Sequence, residues 1–397
     1  MDNNSEICNP FDPREISIDT KTIPMDVLLR RLLQGTIILN PDFQRKEVWS
    51  HEAKSRLIES LMLNIPIQMF YVAADEQNNW TVVDGLQRIS TFRDFILGIE
   101  FLKNPSRTER NGHGFRLTGL EFLKELEGKN MAYLEKHHTA LYNRIMETQF
   151  SFTIINPRTH EEVKRNIFKR INTAGVPLEP QETRNALYAG PAANLLKTLS
   201  GFSIFKSSFK GSKINSNRME DQEWVLGFIA FLLRPYNLYN RAVSMDDWLS
   251  ETMIILNWLA EPANPENTRL MKDSKIKEDT IVRYSESELT TRFSDALKRQ
   301  RELFGHHAFR ASHGSHRRTP INRRVFETWG VLLSDLSTEE YNRLKTHKSE
   351  FLKAYGQLID SHNFKATLSK HGMDPTAVNS RFTNFSDLIK KYTADDI

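Results

Sequence analysis

The amino-acid sequence predicts an α+β first half followed by a mostly α-helical second half. Three observations predict it. β-prone runs at 36–39, 69–73, 80–83 and 150–155 alternate with stretches of helical periodicity as far as residue 190. Beyond Gly190 strand signals nearly vanish, and helical stretches at 223–233, 246–259, 286–303, 322–333, 349–358 and 382–392 alternate with polar linkers. A chain of 397 residues, 39% hydrophobic and 26% charged, is long enough for two or three globular domains. The predicted division lies between Gly190 and Ser216, with a first domain over 20–195 and a helical one over 215–397.

The elements follow in order. After a polar leader, residues 25–33 read as a short amphipathic helix stopped by Gly35, and the β-prone 36–39 follows. Ser50 is the expected N-cap of the next helix and Glu52 suits its positive end. Leu57, Ile58, Leu61 and Met62 recur at helical spacing as its buried face, and Pro66 ends it. Two strands flank the polar turn 75–79, and a helix over 89–97 begins just beyond Asp84-Gly85. Helical patterns at 120–126, 131–146, 161–171 and 181–188 surround the buried strand 150–155. Trp224, Trp248, Trp258 and Trp329 occupy apolar helical positions and are expected in the core.

Several function classes drop out. The longest apolar runs, 224–233 and 253–260, are far below the roughly 20 residues of a spanning helix. The N-terminus carries no basic-then-apolar signal pattern. Cys8 is the only cysteine, which excludes internal disulfides and thiolate zinc sites and fits a reducing, cytoplasmic setting. No Gly-x4-Gly-Lys-Ser/Thr loop, His-Glu-x-x-His or Gly-x-Ser-x-Gly occurs. The net charge of +4 argues nothing by itself, but residues 298–324 concentrate Lys298, Arg299, Arg301, Arg310, Arg317, Arg318, Arg323 and Arg324 against the single acid Glu302. That segment is a candidate DNA-backbone surface, with Arg310, Arg317, Arg318, Arg323 and Arg324 as its expected contacts; a solvated basic loop is the plainer reading.

The sharpest chemical constellation is Asp84-Gly85-Leu86-Gln87-Arg88 at a strand-to-helix junction. Free amides and the positive end of a helix favour phosphate there. Asp84 is suited to hold a divalent metal or an attacking water, and Gly85 permits close approach of a phosphate. Gln87 is suited to orient water, and Arg88 offers a rigid fork of donors. Taken alone, the same five residues also fit a turn acid and an exposed helix start. Upstream, Gln44-Arg45 mirrors Gln87-Arg88 beside Phe43 and Trp49, whose aromatic rings read more simply as core. Downstream, Arg170 and Asn172 are placed to face a ligand, while Glu182 reads as a second carboxylate or as the anchor of Arg184; capping and surface pairing are the bland alternative.

Taken together and in order, these motifs carry a resemblance. Pro41-x-Phe43-Gln44-Arg45-x-x-x-Trp49, Asn64-Ile65-Pro66-Ile67, Val83-Asp84-Gly85-Leu86-Gln87-Arg88 and Phe168-x-Arg170-Ile171-Asn172-Thr173 resemble the N-terminal domain of GmrSD-type restriction proteins over roughly 23–188. The resemblance implies a ParB/sulfiredoxin-like fold, nucleotide binding and hydrolysis at the Asp-Gly-Gln-Gln-Arg motif, and a role in prokaryotic phage defence against modified DNA. It implies Asp84, Gln87 and Arg88 as catalytic, and Gln44, Arg45, Gly85, Arg170 and Asn172 as nucleotide-binding. An NTP with Mg2+ is the expected cofactor pair, with Asp84 and Glu182 as candidate metal ligands. Leu86 departs from the motif where the family often has glutamine, which makes binding a safer expectation than turnover. No HNH nuclease follows; His316-Arg317-Arg318-Thr319-Pro320 has only a faint look of one. Three functions are therefore expected, in order: an NTP-binding switch governing attack on DNA, a DNA-binding module that recruits a separate nuclease, and a nuclease in its own right. DNA is the expected partner, with homo-oligomers an open option.

Overall fold

The computed structural model describes residues 17–39, 49–98, 114–157, 159, 161–171, 179–209, 214–314, 317–369 and 372–394. Two compact units divide the chain between Leu178 and Glu179. The sequence boundary drawn near 190–216 lies further along, because helical residues beyond 179 join the second unit's core.

The first unit is built on a five-stranded mixed sheet. Its strands are β1 (Ile18–Pro24), β2 (Ile37–Ile38), β3 (Phe70–Ala74), β4 (Trp80–Asp84) and β5 (Gln149–Ile155), in the order β1-β5-β3-β4-β2. β1 runs antiparallel to β5, β5 parallel to β3, β3 antiparallel to β4, and β4 parallel to β2. β1 is not among the strands that the sequence predicts. Six of its seven residues face solvent or its rim, and Ile23 alone is buried, so no apolar alternation marks it. It lies at the sheet's edge, where Asp19 and Lys21 discourage further strand pairing.

The inner sheet face presents Phe70, Val72, Trp80, Val82, Phe150 and Phe152, all buried. The helices that pack there are α1 (Met25–Leu33), α2 (His51–Met62) and α3 (Leu86–Ile96), through Leu28, Ile58, Met62, Phe92 and their neighbours. Phe70 stacks on Phe152 and Phe92 on Phe150, each with ring centroids 5.0 Å apart. Each fully buried ring contributes roughly 1.5–3 kcal/mol over its exposed state. α2 starts where expected: Ser50 Oγ accepts the Ala53 amide at 3.2 Å. Its Glu59, 3% exposed, accepts the amides of Glu121, Phe122 and Leu123 at 2.8–3.0 Å and so ties an irregular loop to the helix. Two short helices, α4 (Met131–His137) and α5 (Thr139–Glu147), lead into β5, and α6 (Glu161–Ile171) follows it.

The described part of the second unit is helical apart from one isolated bridge between Arg310 and Ile321. Its axis is α10 (Glu220–Leu233), preceded by α7 (Pro180–Leu187), α8 (Pro191–Ser200) and α9 (Ser203–Ser208). Every residue of α10 from Trp224 to Leu233 is buried. A helix apolar all round must be covered all round. Contacts come from α8, from α11 (Met245–Ala260) and, past α12 (Pro265–Asp273) and α13 (Glu286–Phe304), from α14 (Arg323–Asp335). Helices α15 (Thr338–Thr346), α16 (Lys348–Asp360), α17 (His362–Thr367) and α18 (Pro375–Thr393) complete the unit. The four expected core tryptophans are all buried here. Among the described residues no helix is long and apolar enough to cross a membrane.

Candidate functional site

The Asp84–Arg88 junction lies at the end of β4 and the start of α3. Gly85 is the N-cap of α3 and has φ +95°, a conformation that penalises any residue with a Cβ. A Cβ on Gly85 would also stand 2.3 Å from Cδ1 of Phe70. Two independent demands therefore require glycine, and both are structural: the space a side chain would fill belongs to the Phe70 ring rather than to a ligand. The helix begins three residues earlier than its apolar pattern announced, because Leu86, Gln87 and Arg88 of the first turn are only half-buried.

Arg88 anchors the junction. One guanidinium nitrogen, Nη2, donates to Asp84 Oδ2 at 2.8 Å and to the Met69 carbonyl at 3.3 Å, while Nη1 donates to the Gln68 carbonyl. The guanidinium carbon lies 4.4 Å from the Phe70 ring centroid, a cation–π contact. Burial pulls the Arg88 pKa below its ordinary value, and the adjacent Asp84 opposes that shift. The side chain of Arg88 is 11% exposed and that of Asp84 41%. The difference decides their roles. Arg88 is consumed in holding the chain entering β3, the end of β4 and the Asp84 carboxylate together. Asp84 spends one oxygen on that ion pair, and its other oxygen has no hydrogen-bond partner among the described residues. A half-exposed carboxylate held at one end and open at the other is fitted to accept from water or bind a cation. The Gln87 side chain, half-buried, also makes no hydrogen bond among the described residues; its carbonyl accepts from Thr91 at 2.7 Å.

The partners of Arg88 were not foreseen from sequence. Besides Asp84, two are backbone carbonyls and one is a strand phenylalanine, and these three leave no motif in the sequence. The other expected site residues scatter. Gln44, Arg45 and Asn172 lie outside the described residues. Arg170 is exposed near the end of α6. Glu182 belongs to the second unit and is 1% exposed. It accepts from Arg218 through both oxygens, at 3.0 and 2.9 Å, and closes a capping box on the Glu179 amide at 2.7 Å. Glu182 is thus ion-paired with Arg218.

Arg184 is instead part of a buried ionic chain. It donates to Glu223 at 3.3 Å and Asp246 at 2.6 Å, and Glu223 is shared with Arg323, which donates to Glu327 at 2.6 Å. This places Arg323 inside the helical unit, away from the basic surface expected of it. Burial alone would lower its pKa, but Glu327 and Glu223 raise it. Arg299 turns inward too, donating to the carbonyls of Leu333 and Leu336 at the end of α14, at 2.6 and 2.8 Å. Arg310 donates to the Thr319 carbonyl, and Arg324 is half-buried with its pKa lowered chiefly by burial. Arg317 and Arg318 are exposed. His316 lies outside the described residues.

Residues 28–189 match the family model described as GmrSD restriction endonuclease, N-terminal domain. Over this stretch the chain is similar to a GmrSD-type N-terminal domain. The stretch takes in Asp84, Gly85, Gln87 and Arg88, together with the sheet and helices that position them. The GmrSD-type match ends near the start of the helical unit. No curated protein matches the chain, and no solved structure does.

Could the described residues hold Mg2+? Asp84 offers one uncommitted oxygen, whereas both oxygens of Glu182 are engaged. No cluster of three histidine, cysteine or acidic side chains occurs among the described residues. That donor set fits a cation that arrives with a triphosphate and keeps most of its oxygens from phosphate and water, the habit of Mg2+ in phosphoryl-transfer sites. It does not fit a protein-made cage.

Proposed function

We propose that this chain is a DNA-associated protein of prokaryotic restriction and phage defence, whose first unit binds a nucleoside triphosphate and hydrolyses it slowly at Asp84. The observation that carries the reading is the divided carboxylate: one oxygen clamped by Arg88, the other open, at the mouth of a helix N-terminus inside a GmrSD-type domain. Asp84 orients the attacking water, and Gln87 assists as a second polar group beside it. Arg88 acts by positioning Asp84. It cannot also clamp a phosphate without giving up three acceptors. Gln44, Arg45, Arg170 and Asn172 complete the nucleotide contacts by family resemblance. Mg2+ bound with the triphosphate would neutralise phosphate charge. Leu86 in place of the usual glutamine supports slow turnover, suited to a switch rather than a metabolic enzyme. Arg317 and Arg318, exposed on the helical unit, support a DNA-backbone contact, and a separate nuclease would do the cutting. The chain would act in the cytoplasm.

The test is phosphate release from ATP, GTP, CTP and UTP with Mg2+, with and without DNA, by the full chain and by Asp84→Asn. Asp84→Asn is preferred to an Arg88 variant because it leaves the shape of the junction intact. Turnover lost in Asp84→Asn at an unchanged melting temperature supports the reading. Equal turnover in both sinks it. A second reading, a DNA-binding module without turnover, gains if no triphosphate is hydrolysed while DNA binding weakens steeply with salt.

A further inference from the structure

We propose that Tyr71 is a further substrate-contacting residue of this site, its phenolic hydroxyl donating a hydrogen bond to the terminal phosphoryl group on which Asp84 directs water. The inference rests on the nucleotide-hydrolysing reading above and completes something that reading lacks. Developing negative charge on a phosphoryl oxygen needs a donor, and the obvious one, Arg88, is already spent on Asp84 and two carbonyls.

The register of the sheet supplies the placement. Tyr71 on β3 is the Cα partner of Asp84 on β4, whereas the next β3 residue, Val72, pairs with Val82. β4 therefore carries one extra residue, Val83, at a bulge immediately before the aspartate. Trp80 and Val82 face the core, and plain alternation would send Asp84 the same way, into the phenylalanine cluster. The bulge re-aims it, a recurrent device beside active sites. On β3 the neighbours of Tyr71, Phe70 and Val72, are completely buried in the core, so Tyr71 belongs to the opposite face with Met69, which is 48% exposed. Directly paired residues share a face with Cβ atoms about 4.5–5.5 Å apart, which puts the Tyr71 and Asp84 side chains beside one another.

The chemistry of Tyr71 fits that position. It is half-buried, and its hydroxyl has no hydrogen-bond partner among the described residues. Asp84 is acceptor-only, whereas the phenol supplies a donor without adding a charge. In the hydrolysis the water oxygen bonds to the terminal phosphorus. The bond from that phosphorus to the bridging oxygen breaks, with its electron pair leaving on the nucleoside diphosphate. The water proton passes through the open oxygen of Asp84 to solvent. Tyr71 keeps its own proton and holds the phosphoryl oxygen throughout.

The experiment compares the full chain with Tyr71→Phe, using each of the four ribonucleoside triphosphates with Mg2+ and a thermal melt as the folding control. Tyr71→Phe keeps the ring and removes only the hydroxyl. The expected result is a kcat lowered about 10- to 100-fold, as for a lost hydrogen bond to a charged group, with KM within about twofold and an unchanged melt. Wild-type turnover matched by Tyr71→Phe overturns the inference and leaves the NTPase reading standing. If the wild type hydrolyses none of the four, equilibrium binding of a non-hydrolysable triphosphate decides. Weaker binding by Tyr71→Phe supports the contact without the turnover, whereas equal binding, or none by either chain, overturns it.

Discussion

Both units place arginines against carboxylates, yet the two arrangements do different things. In the helical unit, Arg184, Glu223, Arg323 and Glu327 form a chain whose members are 2–19% exposed. Their ion pairs and side-chain hydrogen bonds run to one another and to Asp246 and Gln181. At the junction of the first unit the arginine is as secluded, but its aspartate is 41% exposed and keeps an oxygen in hand. The same residue types thus make a structural rivet in one place and a candidate reaction centre in the other. Burial of the acid, rather than the presence of an ion pair, separates them. A buried ion pair by itself is weak evidence for either stability or chemistry.

If the helical network is a rivet, breaking it has the largest effect. Glu223→Ala leaves two buried guanidinium groups facing each other and should cost about 3–5 kcal/mol, read as a lowered melting temperature. Gly227, one turn along α10, has no room for a side chain: a Cβ there would lie 1.7 Å from Glu327 Oε1. The network also sets a pH dependence. Burial pushes the Glu223 carboxyl up, but Arg323 and Arg184 outweigh it and hold its pKa below the ordinary value. A carboxylate depressed in the folded state stabilises above its unfolded pKa, and that contribution is lost as pH falls through the folded one. Acid titration of stability should therefore be shallower in Glu223→Ala than in wild type below about pH 4.5. Matching titrations would mean the network contributes nothing through its charge.

The next effect belongs to the junction's geometry. Gly85→Ala meets a left-handed backbone, about 1–2 kcal/mol, and a clash with Phe70 that costs at least as much again, for a total of about 2–4 kcal/mol. The comparison sharpens if this variant lowers the melting temperature while Asp84→Asn does not. It breaks if Gly85→Ala folds normally and loses nucleotide alone, for then the glycine serves the ligand after all.

How much of this was legible beforehand follows from what each feature asks of side chains. α1 was readable to its ends, 25–33, because its buried Met25, Leu28 and Leu29 recur at helical spacing. The junction was readable as strand, glycine and helix, because a positive φ and a polar first turn each select residue types. β1 was not, since an edge strand with one buried residue leaves no pattern. The basic segment was legible as composition and misleading as surface. Spacing along the chain does not say which arginines turn inward, and Arg299 and Arg323 do so to reach carbonyls and carboxylates distant in sequence. Glu59 carried no signal either. Its partners are three amides some sixty residues away, available to any sequence that folds into that loop.

Glu59 gives a smaller effect in the first unit. Burial raises its pKa, but the amides of Glu121, Leu123 and Phe122, with help from Arg56, bring it below the ordinary value. Glu59→Gln should cost about 1–3 kcal/mol at neutral pH, the range for hydrogen bonds to a charged group, and the difference from wild type should shrink as acid protonates the carboxyl. Hydrogen exchange of the 121–123 amides at neutral pH reads this locally. Unchanged protection would mean that the loop holds itself.

The smallest effect leaves stability alone and asks what the exposed arginines are for. Arg317 and Arg318 are exposed, whereas Arg323, a few residues on, is locked between Glu223 and Glu327. If the pair meets a DNA backbone, each contact displaces counterions and adds about 0.9 to the slope of log affinity against log salt. The double variant Arg317→Gln, Arg318→Gln should then flatten that slope by about 2 with the melting temperature unchanged. Sequence preference among DNA sites should stay as it was, since phosphate contacts carry no base information. A flattened slope would give the helical unit a role of its own, separate from the rivet that holds it together. An unchanged slope with DNA still bound would return both arginines to ordinary solvated surface and move the search for the DNA face to the first unit, beside Asp84.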